Sequence, residues 1–75
     1  MNQLYLGGGE LDFEEQLPEV PYEIVVDWEE DTDGIEWSCT LHMEGKEHDI
    51  TYELNKRDYF YIADLIEKEA EDDGL

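Results

Sequence analysis

From residue 22 onward, apolar and polar side chains alternate in three successive stretches. Tyr22, Ile24, Val26 and Trp28 alternate with Glu23, Val25 and Asp27. Ile35, Trp37, Cys39, Leu41 and Met43 alternate with Glu36, Ser38, Thr40 and His42, and Ile50, Tyr52 and Leu54 with Asp49, Thr51 and Glu53. A period of two is the mark of strands with one buried face. The first two stretches are joined by an acidic run ending in Asp33-Gly34, a pair suited to the left-handed position of a hairpin turn. The next two are joined by Glu44-Gly45-Lys46-Glu47, again a tight-turn composition. Connections this short force antiparallel pairing. The pattern predicts a three-stranded antiparallel meander over about 22–28, 35–43 and 48–54.

After Asn55 the period changes. Tyr59, Ile62, Ala63, Ile66 and Ala70 fall at helical spacing, with Leu65 beside them. Asn55 is a good N-cap, with Asp58 three residues on. A helix is expected over about 56–72, stopping near Gly74. Its apolar stripe fits the apolar face of the meander, which gives an α+β fold with the helix covering one face. Residues 1–21 read as a weakly structured arm before a core of residues 22–75, all in a single domain. Within the arm, Gln3-Leu4-Tyr5-Leu6 offers a short strand, and Leu11 and Phe13 hint at another. Gly7-Gly8-Gly9 reads as a hinge, and Pro18 and Pro21 hold the following stretch extended.

Charge changes the picture. Twenty-three Asp and Glu face four Lys and Arg, for a formal net charge of −19 over 75 residues. That is far beyond the magnitude of about 2–8 that keeps a small domain soluble. Two Trp, five Tyr and two Phe nevertheless argue for a folded chain rather than an acidic tail. Direct nucleic-acid binding is disfavoured, because phosphates need Lys and Arg, and an anionic membrane is disfavoured for the same reason. Basic protein surfaces are the natural complement.

The alternation assigns these carboxylates to places. If the helix covers Tyr22, Ile24, Val26, Trp37, Leu41, Ile50 and Tyr52, the other sheet face is open. It should carry Glu23, Asp27, Glu36, Asp49 and Glu53 around Ser38, Thr40 and Thr51, interrupted by Val25 and His42. The first hairpin adds Glu29, Glu30, Asp31 and Asp33, and the helix adds Asp64, Glu67 and Glu71. Same-face neighbours on a strand are ~6.6 Å apart and adjacent strands ~4.8 Å apart, so such carboxylates form a fixed array. An array of this kind can stand in for phosphates in a cleft lined by Lys and Arg. These twelve residues are the candidate partner-binding set.

Other chemistry is thin. Glu29, Asp31, Asp33 and Gly34 match the start of a calcium loop, but the twelfth position is Thr40 and the flanks read as strands. His42 and His48 lack a ligand cluster at motif spacing and read as surface histidines. Cys39, between Trp37 and Leu41, reads as a buried structural thiol. No nucleophile with its base and no phosphate loop is visible, so the chain is expected to be no enzyme and to use neither metal nor cofactor. It shows no signal-peptide pattern and no apolar run of spanning length, which points to the cytoplasm.

In size and charge, over its whole length, the chain resembles the small acidic phage-encoded inhibitors of the anti-restriction and anti-CRISPR type, which act as DNA mimics. The resemblance implies a viral origin, a cytoplasmic host target that handles nucleic acid, and stoichiometric inhibition. The partner would be a basic nucleic-acid-binding protein or nucleoprotein complex. Two other readings stand beside it. One is an acidic adaptor, or antitoxin-like partner of a basic protein, anchored by aromatics such as Phe60 and Tyr61. The other is a halophile-type protein whose charge serves solubility in strong salt. The apolar arm and surplus aromatics also leave room for a homodimer, which would enlarge a small core.

Overall fold

The alternation folds as a meander with one strand more than its clearest pattern requires. The computed structural model describes residues 2–6 and 8–73. Strand β1 (Asn2–Leu6) is followed by a 3-10 helix (Asp12–Gln16), then β2 (Tyr22–Asp31), β3 (Gly34–Met43), β4 (Lys46–Asp49) and helix α1 (Lys56–Asp73). The strands form one antiparallel sheet in the order β1-β2-β3-β4. No described helix is long and apolar enough to cross a membrane. The fold is α+β, with the helix on one sheet face.

Register explains the two faces. Val26 lies between Leu4 and Cys39, Ile24 between Leu6 and Leu41, and Trp28 opposite Trp37. These side chains share one face and meet Ile62 and Ile66 of α1 in a single apolar cluster. Ile24, Val26, Cys39 and Ile62 are fully enclosed. Trp28 is buried with its indole N–H unpartnered among the described residues. Such an orphan donor costs on the order of 1–3 kcal/mol against a satisfied one, set against the large apolar area the ring buries.

The arm carries more structure than its sequence pattern indicated. Residues 2–6 form β1 and pair along their whole length with β2. Leu11 and Phe13, which hinted at a strand, flank and enter the 3-10 helix instead. Two carboxylates supply what a strand partner would have supplied. Glu14 Oε2 accepts from the Leu11 N–H at 2.8 Å, and its Oε1 accepts from the Gly9 N–H and the Tyr22 hydroxyl. Asp58 of α1, wholly buried, accepts from the N–H groups of Asp12 and Phe13 at 2.8 and 2.9 Å. Arg57 reaches Asp12 at 2.7 Å and Asp58 at 3.4 Å. The arm is thereby tied to the sheet by Glu14 and to the helix by Asp58.

The third strand stops earlier than the alternation suggests. The ladder between β3 and β4 runs from Met43↔Lys46 to Thr40↔Asp49. Glu44 and Gly45 join the two strands with φ of 54° and 76°, the paired positive values of a primed two-residue hairpin. After Asp49 the chain turns away. The Cys39 N–H donates to Thr51 Oγ1 at 2.7 Å, and Asp49 Oδ1 accepts from both the backbone N–H and the hydroxyl of Thr51. A side chain thus takes the place of the next strand residue. Ile50 still reaches the core, but Tyr52, expected on the covered face, is 95% exposed.

The helix starts where the cap predicted. Asn55 Oδ1 accepts from the Asp58 N–H at 2.8 Å. Its inward stripe is Asp58, Ile62 and Ile66, one turn apart, with Tyr61, Leu65 and Ala70 packed beside it. Because Asp58 holds the stripe's first position, Tyr59 sits at its margin, 45% exposed, against Trp37.

Replacing Asp58 by Ala leaves two half-buried amides without their acceptor. Loss of charge-assisted bonds of this kind should lower unfolding free energy by about 2–4 kcal/mol, read from urea denaturation, with faster amide exchange at Asp12 and Phe13. Glu14 gives a pH signature. Burial pushes its pKa up, but hydrogen bonds from Tyr22 and the backbone outweigh burial and hold it below the ordinary 4.5. Its stabilisation is therefore complete above about pH 4.5 and is lost as pH falls through the lowered value. The stability gap between the parent and Glu14→Gln should be widest near neutral pH and close progressively below pH 4.5.

Candidate partner-binding surface

The sheet face away from α1 takes the alternate residues of each strand. β1 contributes Gln3 and Tyr5, β2 contributes Glu23, Val25, Asp27 and Glu29, β3 contributes Glu36, Ser38, Thr40 and His42, and β4 contributes Glu47 and Asp49. Six of these side chains are carboxylates, and Asp31 continues the row at the hairpin end. None of the four Lys and Arg residues lies on this face. Lys46 opposes Met43 and shares its helix-side orientation, while Lys56, Arg57 and Lys68 belong to α1. The imidazole on this face is His42, a cross-strand neighbour of Glu23 whose Nδ1 is 3.6 Å from Glu47 Oε1.

Hydrogen bonds order part of the face. The Tyr5 hydroxyl donates to Gln3 Oε1 at 2.9 Å, and Gln3 Nε2 donates to Asp27 Oδ1 at 2.8 Å. Tyr5 lies opposite Val25, which is buried although it belongs to the open face. Around Val25 a shallow concavity of about 300 Å³ opens between Tyr5, Glu23, Asp27, Thr40 and His42. A second, of about 220 Å³, lies between Asp27, Glu29, Glu36 and Ser38. Here Glu29 and Glu36 stand directly opposite each other, a like-charge pairing that costs stability. Asp49 closes the face at β4, where hydrogen bonds from the Thr51 amide and hydroxyl hold its carboxyl below the usual range.

The twelve sequence-derived residues fall into separate groups. Glu23, Asp27, Glu29, Glu36 and Asp49 share the open face, with Asp31 at its end. Asp33 lies in the hairpin turn, where its N–H donates to Asp31 Oδ1. Glu30 points to the helix side and, with Glu67 and Glu71, borders a depression over Ile35 and Ala70. Asp64 pairs with Lys68 at 3.2 Å on the exposed side of α1. Glu53 is off the sheet, because its stretch turns after Asp49; its N–H bonds to the Ile50 carbonyl. Thr51, expected among the open-face residues, is buried against Cys39. Glu47, Gln3 and Tyr5 also belong to the face, beyond the residues that alternation in 22–54 assigns to it. The two-residue turn at 44–45 carried the signal for Glu47, since it fixes Met43 opposite Lys46 and hence Glu47 opposite His42.

The remaining candidates occupy quieter positions. Cys39 is fully buried, and its thiol is pushed up to about 12 by burial and then by the charges of Asp49 and Asp58. Among the described residues, no three His, Cys, Asp or Glu side chains gather closely enough to hold a metal ion.

Exchanging Glu36 for Lys converts the opposed carboxylates into an attractive pair. The variant should gain about 0.5–1 kcal/mol in thermal or urea unfolding at low salt, and the gain should shrink as salt screens the pair. No protein-family model, curated protein or solved structure matches the chain.

Proposed function

We propose that the protein is an inhibitor that occupies the nucleic-acid cleft of another protein, with the open sheet face set where phosphates would lie. The observation that carries this reading is the division of charge. Six carboxylates share one ordered face from which all four Lys and Arg are excluded. A solvated face that served solubility alone would mix both signs. The opposed Glu29 and Glu36 cost stability in the free protein and gain a purpose against a cationic cleft. The target's own Lys and Arg supply the attraction, as they would for phosphates. A host defence or DNA- or RNA-processing protein is the corresponding partner.

The test is capture of binding proteins from a bacterial lysate on the immobilised chain, with and without saturating duplex DNA or RNA. Retention should fall about tenfold or more between 50 and 200 mM salt, and nucleic acid should displace the captured protein. The combined variant Glu23→Lys, Asp27→Lys, Glu36→Lys should retain nothing above background. A partner held equally well in the presence of saturating nucleic acid would overturn the proposal.

A second reading, an acidic adaptor, draws on the aromatic cluster at the start of α1. Trp37 and Tyr59 lie 5.0 Å apart, Tyr59 and Phe60 5.8 Å, and Phe60 is 62% exposed. Under that reading Phe60→Ala weakens the captured complex more than Glu23→Lys does; under the first, the order is reversed.

A further inference from the structure

We infer that the outer edge of β3 over residues 34–38 is a docking site for an extended partner segment that alternates basic and apolar side chains. The four residues of β4 oppose only residues 40–43 of β3. Beyond them, the Cys39 N–H donates to Thr51 Oγ1 and the Cys39 carbonyl accepts from the Ile50 N–H. Cys39 therefore turns both backbone groups toward the β4 side. Backbone direction repeats every second residue in an antiparallel ladder, so Ile35 and Trp37 turn theirs the same way. No described residue pairs with that side of either one. The result is a row of unpaired donors and acceptors on a strand whose other edge is held by β2.

The flanks define the occupant. On the open face the edge is bordered by Glu36, with Glu29 next to it; on the helix side it is bordered by Ile35 and Trp37, with Tyr59 packed on the Trp37 ring. A strand laid along this edge places alternate side chains beside Glu36 and beside Trp37. Cationic residues suit the first position, apolar residues the second. A second copy of the chain is disfavoured, because residues 29–38 contain four Glu or Asp besides Glu36 and no Lys or Arg, and each copy carries −19. The inference is independent of cleft mimicry, since it requires an extended basic segment rather than a nucleic-acid site.

The test titrates the 15N-labelled full chain with a blocked octapeptide alternating Arg and Val. Two controls are the same peptide N-methylated at alternate residues and a Glu–Val counterpart. The expected result is shifted and exchange-protected amides at Ile35 and Trp37, about tenfold weaker binding of the N-methylated peptide, and none of the Glu–Val peptide. Ile35→Pro removes one outward N–H at an edge position that tolerates proline and should weaken the Arg–Val peptide about tenfold. Should that variant not fold, the N-methylated peptide makes the same comparison on the parent chain. Equal binding of the N-methylated peptide overturns the inference, as does concentration-dependent self-pairing at Trp37. So do shifts confined to Asp27, Thr40 and His42, a result that would leave the open-face proposal intact.

Discussion

Mutual repulsion among carboxylates is the constraint under which this chain folds. A net charge of −19 on 75 residues opposes any compact state, and the apolar material available to offset it is limited. The solution is segregation. Strand alternation sends Ile24, Val26, Cys39 and Leu41 to one side of a single sheet, where Leu6 joins them and α1 closes over them with Ile62 and Ile66. The carboxylates are left on the other side, at the hairpin and along the outside of the helix. The two that do enter the interior, Glu14 and Asp58, are met by N–H and O–H donors. Each therefore acts as an organiser of backbone rather than as an unpaired buried charge.

Most of the sheet and the helix from Lys56 onward were legible in the sequence because their order is local, while the expected stop near Gly74 lies outside the described residues. Period two in residues 22–43 and period 3.6 after Asn55 need no knowledge of distant partners. The losses share a physical reason: each depends on one side chain meeting remote backbone. Leu11 and Phe13 alternate with acids like strand residues, yet Asp58, some 45 positions away, holds the amide of Phe13 in a 3-10 turn. Ile50, Tyr52 and Leu54 alternate like a third strand, yet the Thr51 hydroxyl closes the ladder on Cys39 first. That one bond removed Tyr52 from the core and Glu53 from the acidic face, and it buried Thr51. Tyr59 fell outside the stripe because a carboxylate, invisible to an apolar count, holds the inward position one residue before it.

The candidate surface inherits this division between local and remote information. Four of the six open-face carboxylates follow from alternation; Glu29, expected at the hairpin tip, joins them because β2 runs on to Asp31, and Glu47 follows from the hairpin geometry at Glu44 and Gly45. The helix-side acids do not belong with them; Glu30, Glu67 and Glu71 surround Ile35 and Ala70 on the opposite side of the sheet. What alternation could not supply is the absence of cations from the open face. That depends on the register of Lys46 and on the other three basic residues belonging to the helix.

Thr51 also sets how far the sheet can grow. With its hydroxyl seated on the Cys39 amide, the fourth strand is only four residues long against ten in its neighbour. The far half of the β2–β3 hairpin consequently extends past β4 as a ribbon, its length measured out by where a single oxygen atom interrupts the lattice. A chain with a longer fourth strand could keep every charge described above and lose that projecting rim.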